Sequence, residues 1–303
     1  MWIALTLVYL IWGSTYLAIS VAVDSMPPLI SMGARFLIAS IILALAISAK
    51  RGFGELKLTK HQVLPTFSVG GTMMATGIGC VALAERYVPS GVVALLIAAM
   101  PLWIAIFRAI DGDRPKFLGG LGVLVGFAGV AFLLKPGSLA LPEGVSKSTM
   151  LIWVSVVMFG NFVWAIGTFV SPRLDLPKNY LVLTSYQMFA GGTIMLIMGF
   201  ITGEDFHQFI HATGRSWLGW AYLATIGSFV AYSAYVWLVA HAPVSLTSTY
   251  AYVNPVIAII LGALIQKEPL TGIMVFGAAI VIAGVVLVVS SETLAQRKLQ
   301  RSL

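Results

Sequence analysis

Long apolar runs separated by short polar breaks set the pattern of this chain, and most of the runs are longer than the helices of a soluble core. A stretch of about 19 or more mostly apolar residues can cross a hydrocarbon layer about 30 Å thick. On that rule the pattern predicts ten spanning helices, at residues 1–23, 28–49, 63–84, 89–107, 117–134, 149–171, 179–202, 216–239, 244–266 and 270–290. The connectors are too short to fold a separate soluble domain, so any function has to be built between helices. The first run has no basic residue ahead of its apolar stretch, and it exceeds the apolar core of about 7–15 residues of a cleaved leader, so it reads as a span.

Composition turns this pattern into an exclusion. Of 303 residues, 59% are hydrophobic and 10% charged, and the mean hydropathy is +0.96. An ordinary soluble domain is about 25% charged. The 18 Lys and Arg and 11 Asp and Glu cannot give 32.4 kDa of chain a hydrated shell, so its solvent is largely lipid. The net charge of +7 then marks loops rather than a nucleic-acid surface, because Lys and Arg accumulate on the cytoplasmic side of membrane proteins. With the amino terminus inside, 12 of them fall on the inner side (Lys50, Arg51, Lys57, Lys60, Arg108, Arg114, Lys116, Arg173, Lys178, Arg297, Lys298 and Arg301) and 5 on the outer (Arg86, Lys135, Lys147, Arg215 and Lys267). The expectation is a multi-pass protein of the plasma or inner membrane with both termini in the cytoplasm. A single cysteine, Cys80, rules out a disulfide framework and a cysteine-based zinc or iron–sulfur site. No cofactor or metal is expected.

Two internal offsets organise the chain. Pro89, Pro101 and Pro115 recur 154 positions on as Pro243, Pro255 and Pro269, and Trp12 falls on Trp164 and Arg35 on Gln187 at an offset of 152. The sequence therefore reads as two homologous halves, 1–147 and 148–303, with five spans each. An odd number makes the second half enter the membrane from the opposite side, which is the inverted repeat that secondary carriers build around a site near the midplane. The expected fold is an all-α polytopic membrane protein of ten transmembrane helices, arranged as two inverted five-helix repeats around a central cavity.

Few side chains within the spans can do chemistry. Trp12 and Tyr16 share one face of the first span, as Trp164 and Thr168 share one face of the sixth, and both Trp residues lie near mid-span, away from the interfacial belts. Arg35 lies about 10 Å from the outer end of its span at 1.5 Å per residue. It either snorkels to the interface or faces the cavity and receives a carboxylate, with Gln187 as its counterpart. Pro101 and Pro255 fall inside spans, where each frees a carbonyl and is expected to kink its helix. Met100 and Asn254 are next to them, and Tyr250 precedes Asn254 by one turn. Met73 and Tyr232, with Met74 and Tyr235 nearby, add polarizable and aromatic surface. The expected substrate-binding set is thus Trp12, Tyr16, Arg35, Met73, Met100, Trp164, Gln187, Tyr232, Tyr250 and Asn254.

What the spans lack is equally informative. None of them holds Asp, Glu, His or Lys; Asp24, Glu85, His241 and Lys267 lie just beyond span ends. That argues against an embedded enzyme, a retinal or haem protein and a carboxylate-relay proton pump. No Gly-x-x-x-x-Gly-Lys-Ser/Thr loop is present for ATP, and a channel would need a continuous polar lining. Flux down the substrate's own gradient is the expected energetics, with an ion coordinated by backbone carbonyls at broken helices as the alternative.

An ordered series of fragments carries a family resemblance. The first span reads Leu10-Ile-Trp-Gly-Ser-Thr-Tyr16, the second carries Arg35-Phe36, and the third ends Ala84-Glu-Arg-Tyr-Val-Pro89. Gly112-Asp-Arg-Pro115, the run from Gly122 to Leu134, Pro255 and Lys267-Glu-Pro269 follow. Together they resemble the drug/metabolite transporter superfamily, EamA type, over residues 1 to about 290. Within it the chain is most similar to YddG-type exporters of aromatic and other neutral amino acids. The resemblance implies a membrane carrier with its substrate between the halves. The partners implied are a small-molecule substrate (amino acids or similar metabolites) and the lipid bilayer, not nucleic acid. Relatives that move drugs or other metabolites leave the substrate class open, and oligomeric state is not legible.

Overall fold

The computed structural model describes residues 1–113, 117–133, 142, 144–242 and 249–302. Among them it is helical throughout, with no strand. The helices are α1 (Trp2–Val23), α2 (Pro28–Arg51), α3 (Lys60–Gly70), α4 (Gly79–Ala84), α5 (Ser90–Ile97), α6 (Met100–Ile110), α7 (Phe117–Leu133), α8 (Lys147–Val170), α9 (Tyr180–Ile201), α10 (Phe206–Ile210), α11 (Gly214–Tyr222), α12 (Ala231–His241), α13 (Tyr250–Ile265) and α14 (Gly272–Ser302). Eight-residue π-helical segments, Gly71–Ile78 and Leu223–Val230, join α3 to α4 and α11 to α12.

Seven helical stretches are long and apolar enough to cross a membrane: Trp2–Val23, Pro28–Arg51, Lys60–Ala84, Ser90–Ile110, Lys147–Arg173, Tyr180–Ile201 and Gly272–Ser291. The apolar helices Phe117–Leu133 and Tyr250–Ile265 are shorter, and the predicted spans at 117–134 and 244–266 run into residues outside the described set. The tenth predicted span stops at 290, yet α14 continues to Ser302. After Ser291 the sequence turns polar but keeps good helix formers, so the helix persists where apolarity ends.

Local signals explain most helix starts. Pro27 and Pro28 open α2 with a fixed φ and no stranded amide. Thr59 and Gln62 form a capping box on α3, the Ser146 side chain accepts the Thr149 amide at the head of α8, and Asn179 accepts that of Leu181 at the head of α9.

The long helices pack in matched sets. α2 lies along α9, and α7 along α14. α1 packs against α11, α12 and α13, while α8 packs against the first π segment, α4, α5 and α6. Small residues set the closest approaches, as membrane helices without a hydrophobic drive between them require. A Cβ on Gly33 would lie 2.9 Å from the Gly192 carbonyl oxygen, and one on Gly192 the same distance from that of Gly33.

Burial is uneven along the bundle. At the end carrying the turns at residues 24–27 and 85–89, nearly everything is buried: Ala22 and Val23 of α1, Pro28 to Gly33 of α2, and Ser90 to Leu96 of α5. α5 bridges α1, α8 and α13 there. α6 continues the same stretch but buries only Leu102 and Ala105, and it packs against α7, α8 and α14 instead. The helices are thus joined most tightly at the end that carries those turns.

Candidate functional site

Three aromatic rings meet where α1, α12 and α13 converge. The Trp12 ring lies 4.9 Å from that of Tyr235 and 5.1 Å from that of Tyr250, the second edge-on at 80°, and the two tyrosines meet at 5.8 Å and 90°. These are the tilted and edge-to-face geometries that aromatic quadrupoles favour. All three rings are half-buried, leaving faces free. Hydroxyls surround them: Tyr9 OH hydrogen-bonds Thr249 Oγ1, and Ser14 Oγ lies 2.6 Å from Tyr222 OH. Asn254 is buried, and its Oδ1 has no partner. Its backbone oxygen would lie 3.2 Å from a Cβ on Gly13. Tyr16, one turn beyond Trp12, is half-buried against the main core.

A second cluster forms around α8. The Trp164 ring covers Gly77, where an added Cβ would sit 2.3 Å from its Cε3. Met73 covers Gly167 at 2.5 Å in the same sense, and the Gln187 backbone covers Gly70 at 2.4 Å. Met100 and Pro101 follow a break at Ala98 and Ala99 that separates α5 from α6. Asn161 Nδ2 donates to the Leu96 carbonyl beside this break at 2.7 Å. Sequence reasoning missed Asn161, since a lone Asn in an apolar run does not announce which carbonyl it serves. Pro255 differs from Pro101: it lies inside α13, which continues as one helix through it. The side chain of Tyr232 lies outside the described residues, as do Pro115 and Pro243.

The two π segments tie the clusters together. Leu223 follows Gly71 by 152 positions and Val230 follows Ile78 by 152, the offset that relates Trp12 to Trp164. The first segment packs on the helix carrying Trp164, and the second on the helix carrying Trp12. π insertions widen a helix and recur at functional sites.

Arg35 is buried, and neither expected setting describes it fully. Its Nη1 lies 3.5 Å from Met32 Sδ, its guanidinium carbon is 4.5 Å from the centre of the Phe36 ring, and Nε has no partner. No carboxylate meets it among the described residues. Gln187 sits against Gly70 on the facing helix pair.

The joined end carries acids that the sequence places outside the spans. Glu204 accepts the amides of Leu29 at 3.0 Å and Ile30 at 2.8 Å, at the head of α2. Glu268 accepts those of Ser90 at 2.8 Å and Gly91 at 3.2 Å, at the head of α5. Each carboxylate thus fills two stranded donors at the positive end of a helix. Glu85, one residue past α4, is buried with both carboxyl oxygens unpartnered. Burial holds it well above the usual carboxylate range, and Glu268 nearby pushes it further. The absence of acids from the spans therefore does not make the protein's interior free of acids.

An apolar groove of about 640 Å³, lined by Met1, Ala4, Leu7, Phe229, Ala234 and Trp237 among others, opens beside α1 and α12 at the end away from these acids. Among the described residues, none of the expected binding residues lines it. Among the described residues, no group of three or more His, Cys, Asp or Glu could hold a metal.

Comparison with known proteins adds the family. The EamA-like transporter family matches residues 1–135 and 151–290. The chain is 35% identical over 286 residues, 94% of this chain and 89% of the other, to an uncharacterized inner membrane transporter, YedA, of Escherichia coli (strain K12). It is 26% identical over 289 residues to an uncharacterized transporter of Archaeoglobus fulgidus, covering 95% of this chain and 96% of that one. It is 24% identical over 295 residues to protein PecM of Dickeya dadantii, covering 95% and 92%. A solved chain, named no more closely than "Crystal structure of protein", superposes with a TM-score of 0.65 at 18% identity and covers 98% of this chain and 97% of that one, a likeness of fold.

Proposed function

Because this chain belongs to the EamA-like transporter family, we propose that it is an inner-membrane secondary carrier exporting small metabolites, above all aromatic and other neutral amino acids. Transport as such comes with the family; the substrate class and the direction are the proposal. The reading divides the chain at residue 147 into two inverted five-helix halves that rock about a site between them. The pairing of α2 with α9 and α7 with α14, and the two π segments 152 positions apart, support that division.

The observation that carries the substrate class is the Trp12, Tyr235 and Tyr250 trio. Half-buried rings, hydroxyls beside them and an unpartnered Asn254 Oδ1 combine an apolar platform with a few polar anchors, the usual composition of a small-molecule site. A neutral amino acid would lay an aromatic or branched side chain on the rings. Its carboxylate is the charge that Arg35 lacks.

Counterflow in proteoliposomes, with a panel of labelled solutes offered outside and unlabelled solutes as competitors, tests this. Competition by aromatic and branched neutral amino acids is the expected result. Uptake confined to nucleotide sugars or polyamines would overturn the substrate class and leave the carrier reading in place.

A further inference from the structure

Glu85 has no role in the reading above, and its surroundings are unusual for a carboxyl group. It is 6% exposed, and neither oxygen has a hydrogen-bond partner. An ionised carboxylate buried there without a counter-ion or hydrogen-bond donor is strongly disfavoured. The groups around it do not supply the missing charge. Arg86, its neighbour, gives its donors to the carbonyls of Val23 at 3.2 Å and Met26 at 2.9 Å in the turn between α1 and α2. α1 contributes Tyr16, close enough to feel the carboxylate's charge, and Asp24, which is exposed. α2 contributes Arg35, which lies against Met32 and Phe36. The first π segment and α4 contribute Cys80, and α8 contributes Lys147, which is exposed. From the segment after α13, Lys267 is exposed, and the charge that does act on Glu85 is another acid, Glu268. Beside Glu268 is Ser90 Oγ, also buried and unpartnered: a Cβ on Gly262 would lie 2.4 Å from Glu268 Oε2 and 3.1 Å from Ser90 Oγ.

Two occupants could neutralise such a place, a proton or a monovalent cation. A hard cation collects about six oxygen ligands. Here both oxygens of Glu268 are already engaged by the amides of Ser90 and Gly91. A proton needs no further ligands.

We propose that Glu85 is a proton-binding site whose carboxyl group keeps a proton while the joined end is closed and releases it to water when that end opens. The closure consists of contacts between the first and second halves of the chain: Ser25 with Ser216 at 2.9 Å, Ser20 with Gln266 at 3.2 Å, and the two glutamate caps. Separating them would admit water to Glu85, and a hydrated carboxyl group ionises in the ordinary acid range. The closed form therefore binds the proton more tightly. By linkage it gains stability at low pH and loses it as pH rises through the closed-form pKa. Opening of this end rests on the carrier reading; the protonation of Glu85 does not.

The test uses the full-length protein and two readouts. Infrared spectra recorded while pH is stepped from 5 upward in Na⁺-free buffer should show the carbonyl stretch of a weakly hydrogen-bonded carboxylic acid at pH 7, absent in Glu85→Gln and retained in Glu268→Gln. Spin labels on Asp24→Cys and Arg215→Cys, in a Cys80→Ser background, flank the contact of Ser25 with Ser216. The distance between them should lengthen as pH rises through the titration of that band, and in Glu85→Gln it should stay fixed across the range. If Glu85→Gln proves unstable, Glu85→Asp should shift the midpoint of both changes. An ionised Glu85 at pH 7, or a carboxyl signal that appears only with Na⁺ removal and is abolished by adding it, overturns the proton site. A protonated Glu85 with a label distance that ignores pH overturns the coupling, whatever solute the carrier moves.

Discussion

Gly284 lies directly on Gly126, so that a Cβ added to Gly284 would stand 2.3 Å from the Gly126 amide nitrogen. The contact holds α14 against α7 at backbone distance, with Gly122 next to it in the same seam. Gly284→Val inserts three carbons where one does not fit, and overpacking of a tight seam costs about 1–3 kcal/mol. The expected result is a thermal unfolding midpoint clearly below that of the wild type in detergent, while Gly120→Ala, at a position with open space around it, changes it little.

The Trp164 ring depends on Gly77 in the same way, but here the neighbour is a side chain at the candidate site. Gly77→Ala should displace the ring and reduce solute flux severalfold without loss of folding. Adding Trp164→Leu frees the space, so the unfolding midpoint of the double variant should exceed that of Gly77→Ala alone. Additive losses in the two single variants would show that the ring and the glycine do not act on each other.

Trp12 contacts two tyrosines, and each aromatic pair contributes about 0.5–1.5 kcal/mol beyond its buried area. Trp12→Ala is expected to raise KM for aromatic amino acids about tenfold or more, the equivalent of 1.4 kcal/mol. Trp12→Phe, which keeps a ring, should recover most of the loss. An unchanged KM in Trp12→Ala would place the substrate away from the trio.

Arg35 is a buried cation whose neighbours are a sulfur and a ring. Replacing a buried charge by an apolar side chain of similar size is often neutral or stabilising by about 1–4 kcal/mol. Arg35→Met should therefore fold at least as well as the wild type. If the guanidinium receives the substrate carboxylate, flux of amino acids falls at least tenfold in the same variant; unchanged flux would assign Arg35 to packing.

Orientation is open to thiol labelling in intact cells. In a Cys80→Ser background, His211→Cys should react with an impermeant maleimide from outside, and Leu56→Cys should react only after permeabilisation. The reverse pattern would invert the orientation drawn from the Lys and Arg counts.

Apolar run length made the helices legible, because the backbone's need to satisfy its own hydrogen bonds in lipid leaves a run of that length little other choice. Pairing residues at an offset of 152 brought Trp12 and Trp164 into view as counterparts, and the structure packs one π segment on the Trp164 ring and the other on the helix that carries Trp12. The π segments themselves were not legible, since Gly71–Ile78 and Leu223–Val230 lie within long, mostly apolar runs in which one extra residue per turn leaves no mark. Prolines were an uneven guide: Pro101 follows a break, whereas Pro65 and Pro255 sit inside helices that continue through them. Glu85 was read as lying beyond a span, which is correct along the chain. Its burial depends on α1, α2 and α8 packing around α4, and no local pattern records that. The caps made by Glu204 and Glu268 join residues more than 170 positions apart, a spacing at which charge and helix end carry no shared signature.

Those two caps have a lopsided ownership. Both fastening acids, Glu204 and Glu268, belong to the later half of the chain, and both helix heads they hold, at Leu29 and Ser90, belong to the earlier one. The head of α9, which pairs with α2, is closed within the later half itself, by the Asn179 side chain. If the two halves descend from one ancestral unit, they have since become lock and key. A molecule assembled from two copies of the later half would carry its clasps with nothing to grip, and one assembled from two copies of the earlier half would have open sockets. On that reading the clasps tie the two parts of the chain into one heritable pair, so that a change at either side of a clasp is answerable only in the other.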